Sequence, residues 1–321
     1  MPRPQDPAAA GLTLVDLDQP SLEGYRRFIS CWVRAGAAGP SFVVDPGPMS
    51  TAEVLLEELD RLGVADLDLI LLTHIHLDHG GATARLLEAF PGARVVSHQK
   101  ARRHLADPAR LWEGSREVLG AVAEAYGAPR PVPESRLLDY DEAAALGVQV
   151  VETPGHAPHH VSFVHDGTLF LGEAAGTFAD LGGPGWYLRP ATPPRFLQEV
   201  ALASLDRLLA LDPLPARLAF AHHGLLEGAS AALLRHAREQ LTHWVGVVAG
   251  TVAARPDADF DTLADTIMAT LAATDAHYAL GRLLPDDIRA RERDYTRQTL
   301  RGMVQYVRED AGQAAPPTRR A

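Results

Sequence analysis

The chain has 321 residues, enough for one large domain or two modest ones, with 46% hydrophobic and 22% charged residues, as expected of a globular protein with a real core. Its net charge of −11 argues against a nucleic-acid surface, which needs clustered Lys and Arg. Cys31 is the only cysteine, so an intrachain disulfide is excluded and any metal site must be built from nitrogen and oxygen ligands.

In chain order, apolar runs at 28–33 and 41–44 flank a Gly/Ala loop at 36–40 and read as a hairpin, stopped by Asp45-Pro46-Gly47-Pro48. Apolar positions at Val54, Leu55, Leu59 and Leu62 predict a helix ending at Gly63. Residues 67–72 predict a strand, followed by a histidine cluster, a helix at 82–90 and a strand at 93–97. Residues 98–127 read as largely helical, with a Pro-rich connector at 129–133. Strand patterns resume at 148–151, 161–164 and 169–171, with Asp166-Gly167 as a hairpin turn. Residues 182–194 are Gly/Pro-rich and read as a loop. A helix at 196–211 leads to a last strand at 217–220. Beyond it the pattern is helical, at 229–248, 261–273 and 286–308, with a tail at 311–321 read as disordered. The N-terminal MPRPQDPAAAGLTL lacks a charged-then-apolar signal pattern and no apolar run suits a bilayer, so a cytoplasmic protein without membrane contact is expected.

The stretch THIHLDHGG, beginning at Thr73, carries most of the chemistry. In extended backbone, residues two apart point the same way, so His74 and His76 can aim at one point past a strand end. Asp78 and His79 lie where the chain turns into the next helix and can reach a second, adjacent point. Imidazole with carboxylate suits zinc, iron or manganese. One loop cannot close two such sites. Further candidates follow other strands: Thr153-Pro154-Gly155-His156, Gly172-Glu173 and His222-His223-Gly224. A lone histidine at any one of these places is more often a structural hydrogen-bonder. Three of them after strands of one chain make a joint signal.

This pattern resembles the H-x-H-x-D-H signature of the metallo-β-lactamase superfamily, and the resemblance runs from about Leu14 to Gly224. It implies an α+β fold: a four-layer αβ/βα sandwich over 11–228, with a helical extension at 229–310. It implies two divalent metal ions, zinc first with iron or manganese as alternatives. His74, His76 and His156 would hold one, Asp78, His79 and His222 the other, and Glu173 would bridge them. Asp78 would also serve catalysis by orienting a metal-activated water. Asp45 matches the family aspartate that orients the signature loop, although an Asp-Pro turn accounts for it equally well. The bridging residue in the family is usually Asp, so Glu173 departs by a methylene. The doublet His222-His223 leaves two registers, of which the motif Gly-His-aromatic-Gly favours His222.

Among family members the glyoxalase II-like hydrolases come closest, which implies hydrolysis of a small-molecule thioester, lactone or related acyl compound. An iron-dependent sulfur dioxygenase of the same fold is the alternative. A flavin-linked oxygen reductase, a β-lactamase and a tRNA-processing nuclease are each disfavoured, by the lack of a phosphate-binding loop after Gly224, of a signal peptide and of positive charge respectively. Tyr187, Arg189, Tyr278 and Arg282 are pocket candidates, His98 a candidate for the pocket mouth and His160 for support of His156. His104, His159, His165, His236 and His243 read as structural or surface residues. The C-terminal helices, with Leu241, Trp244, Val245 and Val248 at helical spacing, either cover the sandwich or form a homodimer contact.

Overall fold

A computed structural model describes residues 11–36, 39–183 and 185–314. Most of the N-terminal stretch read for a signal pattern, part of the 36–40 loop, Pro184 and the end of the tail at 315–321 lie outside the described residues.

Thirteen strands are described. Six form one sheet in the order β1 (Leu12–Asp16), β2 (Ser30–Arg34), β3 (Phe42–Val44), β4 (Leu69–Leu71), β5 (Arg94–Val96) and β6 (Leu137–Leu138). Its first two pairings are antiparallel and its last three parallel. The second sheet contains β7 (Gln149–Glu152), β8 (Val161–His165), β9 (Thr168–Gly172), β12 (Arg217–Phe220) and β13 (Gly224–Glu227), in the order β13-β12-β9-β8-β7. A separate antiparallel ribbon pairs β10 (Thr177–Asp180) with β11 (Trp186–Arg189).

Alternation along the strands builds the layers. Phe42, Val44, Leu69 and Leu71 point inward and meet Phe163, Phe170 and Ala219 of the second sheet. Val43 and Ile70, between them, point outward onto helices α1 (Ala52–Arg61) and α3 (Thr83–Ala89). Leu169, Leu171, Leu218 and Phe220 do the same on the far side, under helices α8 (Gln198–Leu209), α9 (Ser230–Ala254), α10 (Phe260–Thr274) and α12 (Asp286–Ala314). Both sheets are therefore covered on both faces, which is why their strands read as nearly continuous apolar runs. Each buried Phe contributes about 1.5–3 kcal/mol relative to exposure. Among the described residues no helix is long and apolar enough to cross a membrane.

The sandwich puts the ends of β3, β4, β9 and β12 at one edge. A short helix α2 (Leu77–Gly80) forms inside the histidine cluster and carries Asp78 and His79. Between β5 and β6 lie helices α4 (Arg102–Ala106), α5 (Ala109–Leu119) and α6 (Ala121–Tyr126). The remaining helices are α7 (Tyr140–Ala145) and α11 (Ala276–Ala279).

Several local expectations change. Residues 182–194, read as a loop for their Gly and Pro, contain β11: its Tyr187 and Leu188 are buried, and pairing with β10 satisfies its backbone. Residues 224–227, beyond the strand expected to be the last, pair with β12 as an edge strand. The tail read as disordered from 311 continues α12 to Ala314.

Candidate metal centre

Asp45 sits just after β3 in a left-handed conformation, φ 54°. There its Oδ1 accepts from Thr73 N at 2.8 Å and its Oδ2 from Thr73 Oγ1 at 2.7 Å. Oδ2 also lies 3.2 Å from His79 Nδ1. One carboxylate thus ties the start of the signature loop to its last histidine, and the turn-forming and orienting roles coincide.

Hydrogen bonds fix which ring nitrogen of each histidine faces the centre. Thr73 Oγ1 gives its proton to Asp45, so it accepts from His74 Nδ1, 3.0 Å away. His156 Nδ1 donates to Ala191 O at 3.2 Å, and His222 Nδ1 to Phe28 O at 2.9 Å. With each Nδ1 engaged, the Nε2 atoms of His74, His79, His156 and His222 point into one space, as outer partners of ligating imidazoles generally arrange. His76 instead turns its Nδ1 inward, 3.0 Å from His156 Nε2.

The polar atoms fall into two groups, each within 4.8 Å: His74, His76, His156 and Glu173 in one, Asp78, His79 and His222 in the other. Glu173 faces both. Its Oε2 lies 3.5 Å from His74 Nε2, 3.0 Å from His156 Nε2 and 3.5 Å from His79 Nε2, and its Oε1 lies 3.6 Å from His222 Nε2. Asp78 Oδ2 is 3.4 Å from His79 Nε2 and 3.8 Å from His222 Nε2. Ligands spaced around a tetrahedral ion with bonds of 2.0–2.1 Å sit about 3.3–3.4 Å apart. The buried Nε2 atoms of His74 and His79 make no hydrogen bond, an arrangement that costs free energy unless something else binds them. The donor set and its open nitrogens fit divalent cations.

The sequence doublet resolves on backbone geometry. A bridge between Ile29 and His222 seats His222 beside β2, while His223 takes a left-handed φ of 69°. Only His222 joins the cluster, and Phe28 stacks on its ring at 4.1 Å.

Electrostatics favour the ligating forms of His74, His76, His156, Asp78 and Glu173. Burial pushes His74 and His156 down, and His76 to about 3, so all three are neutral. Burial would raise Asp78 and Glu173, but histidine neighbours win: Asp78 falls to about 2, chiefly beside His79, and Glu173 well below the usual range, chiefly beside His156. His79 goes the other way: burial opposes its proton, and Asp78 and Asp45 overcome that and raise it.

Sequence reasoning linked His160 to His156, but its contacts run to Glu173. Ser162 Oγ donates to Leu171 O, Thr153 Oγ1 to Ser162 Oγ, and His160 Nδ1 to Thr153 Oγ1. The remaining lone pair, on His160 Nε2, accepts from Glu173 N at 3.1 Å. Gly172 completes the fit: at φ 57° a Cβ there would lie 2.4 Å from His160 Nε2 and 2.7 Å from Thr73 Cβ. The signal in the sequence was only a histidine doublet, three and four residues after His156. Removing such outer partners costs about 10–100-fold in metal affinity. His160→Phe and Asp45→Asn are each expected to show that loss in zinc titrations, with folding retained by circular dichroism. Wild-type affinity in both would show that these contacts do not set the centre.

The centre opens into a cavity of about 430 Å³. Of the pocket candidates only Arg189 lines it. Tyr187 is buried against Glu292, Tyr278 packs on Trp244 at 5.0 Å, and Arg282 donates to Ala279 O. His98 is buried away from the cavity, beside Glu152 at 3.3 Å. His104 and His159, read as structural, do line it, and burial lowers His159 to about 4. So do Tyr126, whose buried hydroxyl makes no hydrogen bond, and Tyr295.

Known proteins resemble this chain in sequence and in fold. A protein 30% identical over 200 residues, covering 58% of this chain and 74% of its own length, is the metallo-beta-lactamase fold-containing protein ST1585 of Sulfurisphaera tokodaii. The hydroxyacylglutathione hydrolase of Xanthomonas campestris pv. campestris is 31% identical over 65% of this chain and 69% of its own length. The crystal structure of a metallo-beta-lactamase family protein from Thermus thermophilus superposes with a TM-score of 0.60 at 22% identity. It covers 94% of each chain, so the likeness of fold extends beyond the sandwich into the C-terminal helices. The family model of the metallo-beta-lactamase superfamily matches residues 24–222, well over half of the sequence, and the chain belongs to that superfamily.

Proposed function

We propose that this chain is a metal-dependent hydrolase of an ester-like bond in a small molecule, with a thioester or lactone as the leading substrate class. The observation that carries the reading is Glu173, whose two oxygens lie within 3.0–3.6 Å of histidines from both groups. His74, His76 and His156 would hold one cation, Asp78, His79 and His222 a second, and Glu173 would stand between them; zinc suits the donors first, iron or manganese next. Bound there, the pair would supply Lewis-acid polarisation of a carbonyl and lower the pKa of water.

The chain's own residues do the rest. Asp78 lines the cavity floor, is ionised and is therefore acceptor-only, so it can hold the attacking water against the carbonyl carbon. The Nδ1 contacts keep the imidazoles from turning away from the centre. The relatives named hydroxyacylglutathione hydrolase support thioester chemistry.

Metal content of freshly purified protein and turnover on thioester and lactone panels test the reading. Two equivalents of metal and a turnover lost in His74→Ala are expected. Thioester turnover that survives in His74→Ala would place the reaction elsewhere. Iron with oxygen uptake on persulfides, and no hydrolysis, would favour the dioxygenase alternative instead.

A further inference from the structure

Helix α5 is amphipathic, yet none of its residues is buried, and Val118 is 64% exposed. It runs between Pro108 and Gly120, and Leu111, Gly114, Ser115, Val118 and Leu119 form its inner face at helical spacing, with Arg110 also in the lining. All five line the cavity that begins at His76, Asp78 and Glu173. An apolar helix face is ordinarily closed by other protein; here Leu111 and Leu119 pack in part against the core, while Val118 stays open at the cavity. Ile75, Leu77 and Phe28 continue the apolar surface from α5 down to the centre.

The lining from residues 189–194 and α12 differs in kind. Thr192, Gln298 and Thr299 bring hydroxyl and amide groups to it. Of the two arginines that line the cavity, Arg189 is already bound by Glu292 at 2.6 Å, and Arg110 lies on α5. A cavity lined mainly by apolar groups along α5 and by hydroxyl and amide groups at Thr192, Gln298 and Thr299, meeting at a hydrolytic centre, can sort the two halves of an acyl compound.

We propose that α5 is the wall of an acyl channel, and that the substrate carries an unbranched apolar acyl chain along it, with its more polar leaving group toward Thr192 and Gln298. This rests on the hydrolase reading above and narrows its substrate to medium-chain acyl esters or thioesters. Small hydrophilic acyl groups would leave the α5 face wet. Burying each further methylene should raise kcat/KM about three- to fourfold until the channel is full.

Gly114 gives the test a clean handle. A Cβ added there meets nothing within 4 Å, so bulk enters the cavity and not the packing. Replacing a helical glycine also favours the helix. With acyl thioesters of one thiol, from acetyl to decanoyl, kcat/KM is expected to climb with chain length. Gly114→Trp is expected to cut the decanoyl-to-acetyl ratio at least tenfold. A flat series, or a ratio that Gly114→Trp leaves intact, would overturn the channel. If no ester or thioester is turned over at all, the hydrolase reading fails, and calorimetry with decanoate and acetate reads the channel alone. Decanoate binding that Gly114→Trp weakens tenfold, with acetate not bound, upholds it; no decanoate binding overturns it.

Discussion

Replacing Glu173 with alanine is expected to lower metal content from two equivalents to one or fewer, and hydrolysis by at least about 100-fold, more than the loss of an outer hydrogen-bond partner. The cluster has only two carboxylates, and Glu173 is the one that reaches histidines of both groups. Without it, His74 and His156 face each other with no negative charge in their group. Glu173→Asp is the sharper test. It keeps the charge and withdraws the carboxylate by a methylene, over about 1 Å. The backbone cannot follow, because Glu173 N is held by His160 at 3.1 Å and Gly172 is wedged against Thr73 and His160. A loss of at least tenfold is therefore expected even for the residue usual in this family. Full metal content and activity in Glu173→Asp would show that the longer side chain does not set the spacing of the centre.

The candidate cluster was legible because its residues follow strands whose apolar runs are unambiguous. His74 and His76 follow β4, His156 follows β7, Glu173 follows β9 and His222 follows β12, so topology alone brings them to one edge. The outer contacts were less so. His160 reads as any histidine starting a strand, and its bond to Glu173 N depends on how β8 and β9 pair, which no local pattern encodes. The ribbon of β10 and β11 was hidden by glycines and prolines that mark its turn and its end. Helix α5 was foreseen as helix, but not as cavity wall. An apolar helical face looks the same in sequence whether protein or a ligand covers it.

The largest effect on stability is expected away from the centre, at Glu292 on α12. This carboxylate is buried between two buried arginines. Oε2 accepts from Arg189 Nε at 2.6 Å and from the Tyr187 hydroxyl at 3.3 Å, and Oε1 accepts from Arg291 Nη2 at 2.9 Å. Arg291 in turn donates to Gly24 O at 2.6 Å and lies 4.0 Å from the centre of the Phe28 ring, which stacks on His222. The group thus fastens α12 to the sandwich beside the candidate metal centre. Glu292→Ala leaves two buried cations without a counter-charge, at a cost of about 3–5 kcal/mol. For a chain of this size that lowers Tm by about 4–7 °C. Replacing all three charges together, Arg189→Met, Arg291→Leu and Glu292→Leu, should restore much of the loss, since apolar packing substitutes well for a buried ion group. The sign with pH follows from the carboxyl itself. Burial would raise it, but Arg189 and Arg291 hold it at about 2, below its ordinary 4.5. A depressed folded pKa contributes stability in full above pH 4.5, about 3 kcal/mol here, and loses it as pH falls toward 2. The stability gap between wild type and Glu292→Gln should therefore be constant from pH 7 to 5 and close below pH 4. Denaturant titrations at pH 7, 5 and 3 measure it, and a gap that stays the same at pH 3 would show that the ionised carboxylate is not what holds α12.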